Sequence, residues 1–271
     1  MQNIDPVLFI QPLIVIAISL GLVIYWRIKR RFTIWILLYS LAAYAIAILA
    51  KTIFQAFTYS QLINAFGLVS PITGLYFGLQ TVFLEVGLAY FFAVYAVGQK
   101  KFTGGDASGY GIGLAFWENG IYLGVLSLVS LAAIYAVLAS GLPAAQQLYN
   151  TLLTSAPQYF DSPAQLLPSI CWGILERISS ILGHFSWGYL CVFAAVFRRR
   201  LYFLVALPMG MIDFFVVYAG VLGIAAFELL IFALSVASFV LALLITRKDR
   251  NSQKGIAGSA TPPASSPQNS P

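Results

Sequence analysis

Seven long apolar runs constrain the fold of this chain more than any other feature of its sequence. About 20 consecutive apolar residues let a helix cross the hydrocarbon core of a membrane. The chain is 60% hydrophobic and only 9% charged, whereas a soluble domain carries roughly 25% charged residues. We therefore predict an all-α polytopic membrane protein whose main partner is the lipid bilayer. The seven predicted transmembrane spans lie near residues 7–26, 33–57, 73–97, 108–139, 164–197, 201–219 and 222–246.

Clusters of Lys and Arg alternate with loops that contain neither residue. The basic clusters are residues 27–31, 99–101, 198–200 and 247–250, and the loops without Lys or Arg are 58–72 and 140–163. Basic loops stay on the cytoplasmic side of a membrane, so we predict an outside N-terminus and a cytoplasmic C-terminus. The net charge of +6 then reflects membrane topology, and we expect no nucleic-acid partner.

The predicted organisation is one transmembrane domain over residues 1–246 followed by a cytoplasmic tail over 247–271. The tail is rich in Pro, Ser and Gly, which predicts disorder. The fifth run exceeds the length that one crossing needs, so we expect a steep tilt or an interfacial start near Pro168. We expect a multi-pass protein of a prokaryotic plasma membrane.

Four titratable residues from four different runs are predicted to share one depth in the membrane. Counted from the cytoplasmic ends at 1.5 Å per residue, Glu85, Glu118, His184 and Asp213 lie about 15–20 Å deep. Three carboxyls and an imidazole without a neighbouring cation must hold protons, a metal ion or water. If a divalent metal such as zinc binds, its candidate ligands are His184, Glu118 and Asp213; water activation without a metal stays an alternative.

A second set of charged residues is predicted to lie nearer the outer surface. Lys51, Glu176, Arg177 and Glu228 fall about 27–32 Å from the cytoplasmic edge by the same count. Two acids and two bases at one depth indicate neutralising ion pairs. We expect Glu176 and Arg177 to support the deeper residues rather than to react.

The segment "GYGIGLAFWENGIYLG" places several glycines shortly before and after Glu118. It does not follow a strand, so a phosphate-binding loop is not expected. Small residues at this spacing in a membrane helix let a second helix approach closely. That approach would bring Glu118 near residues of a neighbouring span.

The order of several motifs resembles a known family between about residues 45 and 215. The motifs are "ILAKTIFQAFTYSQL", the glycine-rich segment ending in Glu118, "ERISSILGHFSWGYL" with Glu176, Arg177 and His184, and "LPMGMIDF" with Asp213. This order is similar to that of the YhfC-like membrane peptidases. They belong to a superfamily that includes PrsW, the CAAX prenyl endopeptidases and the APH-1 subunit of gamma-secretase.

The resemblance implies an intramembrane endopeptidase that cleaves a membrane-embedded or membrane-proximal peptide. Glu85 and Glu118 are then the candidate bases that activate water, His184 orients the oxyanion or binds a metal, and Asp213 is an orienting group. Its substrate or partner would be a transmembrane peptide.

The sequence also departs from the family pattern at three positions. Leu84 and Leu88 stand where a Glu-Glu-x-x-Arg type motif has an acid and an arginine, and Met209 stands at a histidine position. These departures favour an alternative function, a catalytically degenerate scaffold like APH-1 that binds a transmembrane partner. A small proton-coupled transporter is a further alternative, because buried carboxyls also relay protons.

Overall fold

The structure, a computed structural model, describes residues 3–30, 33–249 and 251. Within these residues the chain is helical and forms no strand, which confirms the predicted all-α class. Seven of its helices are long and apolar enough to cross a membrane. These spans are α1 (Pro6–Lys29), α2 (Ile34–Phe66), α3 (Pro71–Gly98), α4 (Gly104–Ala139), α6 (Pro163–Phe197), α7 (Arg200–Leu222) and α8 (Ile224–Ile245), and a shorter helix α5 (Pro143–Ser155) joins α4 to α6.

The predicted spans and the observed helices differ mainly in length. Helix α2 continues to Phe66, nine residues beyond the expected end at 57, until Gly67 ends it with a φ of +79°. The predicted outer loop 140–163 contains α5, and α6 is one continuous helix through Pro168. The predicted orientation of the termini stays a prediction. Most of the predicted disordered tail, residues 252–271, lies outside the described residues.

Helix α6 forms the centre of the bundle. In its most apolar stretch 72% of the residues are buried, against 17–33% in the other six spans. It packs against the first part of α4 and against α8, α3, α7 and α1. Because its neighbours surround its later half, the polar side chains of Ser179, His184 and Ser186 are buried in protein.

Glycines allow α4 to approach α6 closely, as the sequence predicted. A Cβ atom on Gly111 would lie 2.5 Å from the Phe185 carbonyl oxygen, and one on Gly188 would lie 2.8 Å from the Gly111 Cα atom. No side chain fits between these backbones, so the contact depends on glycine at both positions. It holds the part of α4 about two turns further on, which carries Glu118, against the turn of α6 that carries His184.

The three acidic residues of the predicted inner layer lie where their helices depart from α geometry. Glu85 lies in a π-helical stretch of α3, Thr81–Val86, and Glu118 lies in another of α4, Phe116–Val125. Asp213 lies in a 3-10 stretch of α7, Leu207–Tyr218. Such stretches change the direction of side chains and are frequent at functional sites. His184, in contrast, lies on the regular helix α6.

Candidate active site

The predicted inner-layer residues line a single cavity inside the bundle. The cavity has a volume of about 230 Å³ and receives side chains from α2, α3, α4, α6, α7 and α8. Glu85, Glu118, His184 and Asp213 all line it, as do the predicted supporting residues Glu176 and Arg177. The fold thus brings together residues that lie as far apart in the sequence as Glu85 and Asp213.

Glu85, Glu118 and His184 form the tightest group in this cavity. The three residues come from α3, α4 and α6, and each offers a ligand atom within 4.8 Å of the others. The Nε2 atom of His184 lies 2.5 Å from Glu118 Oε2 and 3.2 Å from Glu85 Oε2. One imidazole therefore faces two carboxylates, an arrangement that requires a positive charge between them.

The other ring nitrogen of His184 is held by its own helix. Nδ1 lies 3.0 Å from the Ser180 carbonyl oxygen and 3.3 Å from Ser180 Oγ. Asn119 Nδ2 donates in turn to Ser180 Oγ at 3.0 Å. A carbonyl oxygen only accepts hydrogen bonds, so Nδ1 carries the proton. In the neutral imidazole, Nε2 then presents a lone pair toward both carboxylates, which is the form that binds a metal ion.

Lys51 supplies a cation on the opposite side of Glu85. Its Nζ donates to Glu85 Oε1 at 2.5 Å and to Thr81 Oγ1 at 2.8 Å, and lies 3.4 Å from Asp213 Oδ2. Thr81 donates its hydroxyl to the same Asp213 oxygen. The expectation that the inner layer lacks a cation and that Lys51 lies in an outer layer is wrong. A count of residues gives depth only if a helix crosses the membrane upright and begins at its edge, and the 33-residue helix α2 is about 50 Å long, more than a core of about 30 Å.

Asp213 lies on the lysine side of the cavity rather than beside His184. Its close partners are Lys51 and Thr81, and it lies outside the group that could hold a metal ion. The structure therefore brings Glu85, and not Asp213, together with Glu118 and His184. The site also uses Thr81 and Asn119, which the sequence did not single out, because short polar side chains are common in helices and carry no signal of their own.

The predicted outer ion pairs form only in part. Glu176 pairs with its neighbour Arg177, and both line the cavity. Glu228 is 2% exposed, and its Oε2 atom has no hydrogen-bond partner among the described residues. The expected pairing of these residues with Lys51 is wrong, since Lys51 binds Glu85 and Asp213.

The structure shows where the three positions that depart from the family pattern lie. Position 88 is a leucine, but Lys51 of α2 pairs with Glu85, so a cation does lie beside this carboxylate. Met209 is buried and lines a separate cavity between α7 and α8. Leu84 is not among the residues that line the main cavity.

The fold and the site together define a polytopic helical membrane protein with a buried site of one imidazole and two carboxylates. A family model described as YhfC intramembrane metalloprotease matches residues 14–231, a range that contains every residue of the site, and the chain belongs to this family. No curated protein and no solved structure matches the chain.

Proposed function

We propose that this protein is an intramembrane metallopeptidase that hydrolyses membrane-embedded or membrane-proximal peptides. Its active site would be formed by Glu85, Glu118 and His184. The observation that supports this function best is the convergence of the three ligand atoms within 4.8 Å, from three separate helices. Family membership supports the same reaction class. Charged groups inside a membrane are costly, so three of them at one point require a functional reason.

The three residues fit a divalent metal ion such as zinc. Catalytic zinc sites have three protein ligands from His and carboxylate side chains and leave a further position open. The Nε2 lone pair of His184 faces both carboxylates, and Glu118 Oε2 is buried without a properly aligned hydrogen-bond donor among the described residues. When bound there, the ion supplies Lewis-acid polarisation of a carbonyl group and of a water molecule.

The two glutamates have different surroundings, and this difference suggests different roles. Glu85 is held at Oε1 by Lys51, and its Oε2 lies 3.2 Å from His184 Nε2, so it is the anchored ligand. Glu118 contacts only His184 among the charged residues described. Its other oxygen is free to take a proton from the attacking water and to pass it to the leaving amine, which is general acid–base catalysis.

Two aromatic residues can supply the donors that stabilise an oxyanion. The Tyr44 hydroxyl and the Trp187 indole N–H are buried, line the cavity and have no hydrogen-bond partner among the described residues. The Trp187 ring lies 4.3 Å from the His184 ring, and the Tyr44 ring lies 6.4 Å from it. If His184 binds the metal, it cannot also donate to the oxyanion, and we assign that role to Tyr44 and Trp187.

Lys51 is a positioning residue in this proposal. It holds Oε1 of Glu85 so that Oε2 stays directed at His184. The side chains of Lys51 and Glu85 are 13% and 10% exposed, so their pairing takes place away from water, where charge is expensive to leave uncompensated.

Metal analysis and peptide hydrolysis test the proposal together. We expect purified wild-type protein to bind about one zinc ion per chain and to cleave members of a panel of fluorogenic single-span peptides in micelles. His184→Ala should lose the metal, and Glu118→Gln should lower the rate by about 10²–10⁴-fold, the usual contribution of a general base. Ser186→Ala is the matched control, because Ser186 is buried two residues from His184 and bonds only its own helix.

Two outcomes would replace this function with one of its alternatives. A wild-type protein that copurifies with a stoichiometric single-span partner and never cleaves it would be a scaffold. Proton-coupled uptake into liposomes that is lost in Glu85→Gln would identify a transporter. Equal cleavage by wild type, His184→Ala and Glu118→Gln would contradict the peptidase assignment directly.

A further inference from the structure

A second cavity lies directly beside the catalytic cavity. Its volume is about 600 Å³, and its walls come from the start of α1, the later part of α4, Glu176 and Arg177 in the middle of α6, and Tyr159 in the turn before α6. Four residues line both cavities: Tyr122, Leu123, Glu176 and Arg177. The two spaces therefore meet at one boundary, within about two helical turns of His184.

The walls of the second cavity combine apolar surface with uncommitted polar groups. Leu8, Pro12 and Leu131 are among its apolar residues. Gln11, Ser127 and Ser130 also line it, and none of their three side chains forms a hydrogen bond to another described residue. An extended peptide in a membrane carries an N–H and a C=O group on each residue that must find partners, whereas a lipid chain carries none. The lining therefore favours a peptide.

The joined cavities have the length of a short peptide segment. Leu131 follows Glu118 by 13 residues on one helix, which corresponds to about 20 Å. An extended chain advances about 3.3 Å per residue, so this length accommodates about six residues. A peptide held there would have its scissile bond at Glu118 and His184 and would run toward the turn at Tyr159.

Arg177 lies where the two cavities meet. Its side chain is 16% exposed and pairs with Glu176. A guanidinium group has five N–H donors, so this one ion pair leaves others free to bind peptide carbonyl oxygens. In this arrangement the Arg177 guanidinium would bind the peptide backbone just before the peptide enters the catalytic cavity.

We propose that the second cavity is the binding site for an extended, apolar segment of the peptide substrate, and that Arg177 fixes the position of this segment at the entrance to the catalytic cavity. The proposal rests on the peptidase function argued above. It identifies the substrate as a membrane peptide that is unwound over about six residues on one side of the cleaved bond.

Photo-cross-linking tests this site without requiring turnover. The probe is a synthetic single-span Leu/Ala peptide with a benzophenone side chain, incubated with the full-length protein in micelles. We expect the peptide to label residues of the second cavity, and an excess of unlabelled peptide to prevent labelling. Ser127→Trp and Ser130→Trp fill the cavity and should each lower labelling at least tenfold. Arg177→Gln should lower it severalfold.

Val129→Trp is the matched control. Val129 lies between the two serines on the same helix, is 58% exposed and does not line the cavity. Val129→Trp should leave labelling unchanged. The results for Ser127→Trp and Ser130→Trp are interpreted only if both variants keep the thermal stability of the wild type. Equal labelling in Ser130→Trp, Ser127→Trp and wild type would overturn the proposal, as would labelling that unlabelled peptide does not compete, the behaviour of a lipid-filled groove.

Different results would contradict the proposed peptide-binding site and the proposed peptidase function. Glu118→Gln should label like wild type, because it keeps the second cavity. Labelling without any cleavage would leave the binding site in place and contradict the peptidase function. If both tryptophan variants cleave at the wild-type rate, the peptidase function is supported and the proposed peptide-binding site is contradicted.

Discussion

The two sides of Glu85 differ in how their charges are balanced. On one side, Lys51 and Thr81 donate to two carboxylates, so donors and acceptors match within the protein. On the other side, His184 Nε2 faces Glu85 Oε2 and Glu118 Oε2, and acceptors exceed donors when the imidazole is neutral. On the first side the protein supplies a donor for each carboxylate, whereas the second side needs an additional cation to balance its carboxylates.

We infer from this difference that the lysine side stabilises the site and that the histidine side is the part that reacts. A satisfied, buried network fixes the positions of its side chains and loses stability when one member is removed. A cluster with excess acceptors is costly unless a ligand completes it, and such clusters are typical of functional sites. Glu85 contacts both sides: its Oε1 accepts from Lys51, and this bond keeps its Oε2 in position next to His184.

Removal of Lys51 should have the largest effect on stability. Lys51→Met leaves Glu85 buried beside Asp213 without its cation, and breaking a buried ion pair costs about 3–5 kcal/mol. We expect a loss of this size in SDS unfolding titrations in mixed micelles, and near-complete recovery in Lys51→Arg. The double variant Lys51→Met/Glu85→Gln should lose less than Lys51→Met alone, since it removes the unpaired charge.

Lys29→Met provides a control for Lys51→Met. Lys29 is exposed and bonds only Tyr25 on its own helix, so its loss should change stability by about 0.5 kcal/mol or less. A similar small change in Lys51→Met would mean that the lysine side does not stabilise the site, and the contrast between the two sides would fail.

The position of Lys51 also shows where the sequence was sufficient and where it was not. Composition and run length predicted the all-helical membrane fold because few charged residues can only mean burial in lipid. The glycines around Gly111 predicted that another helix packs closely against α4, because glycine leaves space for a backbone, and the structure shows that this helix is α6. Depth could not be counted reliably, since α2 extends to Phe66. A usable signal was present: Tyr44, Ile48 and Lys51 follow helical spacing and all line the cavity.

Local helix geometry was the second feature that the sequence did not reveal. The π-helical stretches around Glu85 and Glu118 change the direction of the carboxylates. They depend on how α3 and α4 pack against other helices, and neither stretch contains a proline to mark it. Glu85, Glu118 and His184 were therefore predictable one by one, but their grouping, with Glu85 rather than Asp213 beside His184, was not.

A smaller effect is expected from the residue that orients the histidine. Ser180→Ala removes the hydroxyl that lies 3.3 Å from His184 Nδ1 but keeps the backbone carbonyl at 3.0 Å. Loss of such supporting contacts costs about 10–100-fold in metal affinity, and we expect the lower limit here because the stronger partner remains. Zinc competition with a chromophoric chelator measures the change. Ser179→Ala, which loses only a bond to the Leu175 carbonyl oxygen, should bind zinc like wild type.

The smallest effect is expected at Asp213, and it separates the two sides most directly. Asp213 Oδ2 lies 3.4 Å from Lys51 Nζ, a longer contact than the 2.5 Å between Lys51 Nζ and Glu85 Oε1, so its loss should cost less stability than the loss of the Glu85 pair. Asp213→Asn keeps an oxygen that accepts from Thr81, and it should leave zinc stoichiometry unchanged in metal analysis of the purified protein. If the variant lost its zinc, Asp213 would be a metal ligand, as the sequence alone suggested. The lysine side would then belong to the metal site itself rather than support it from outside.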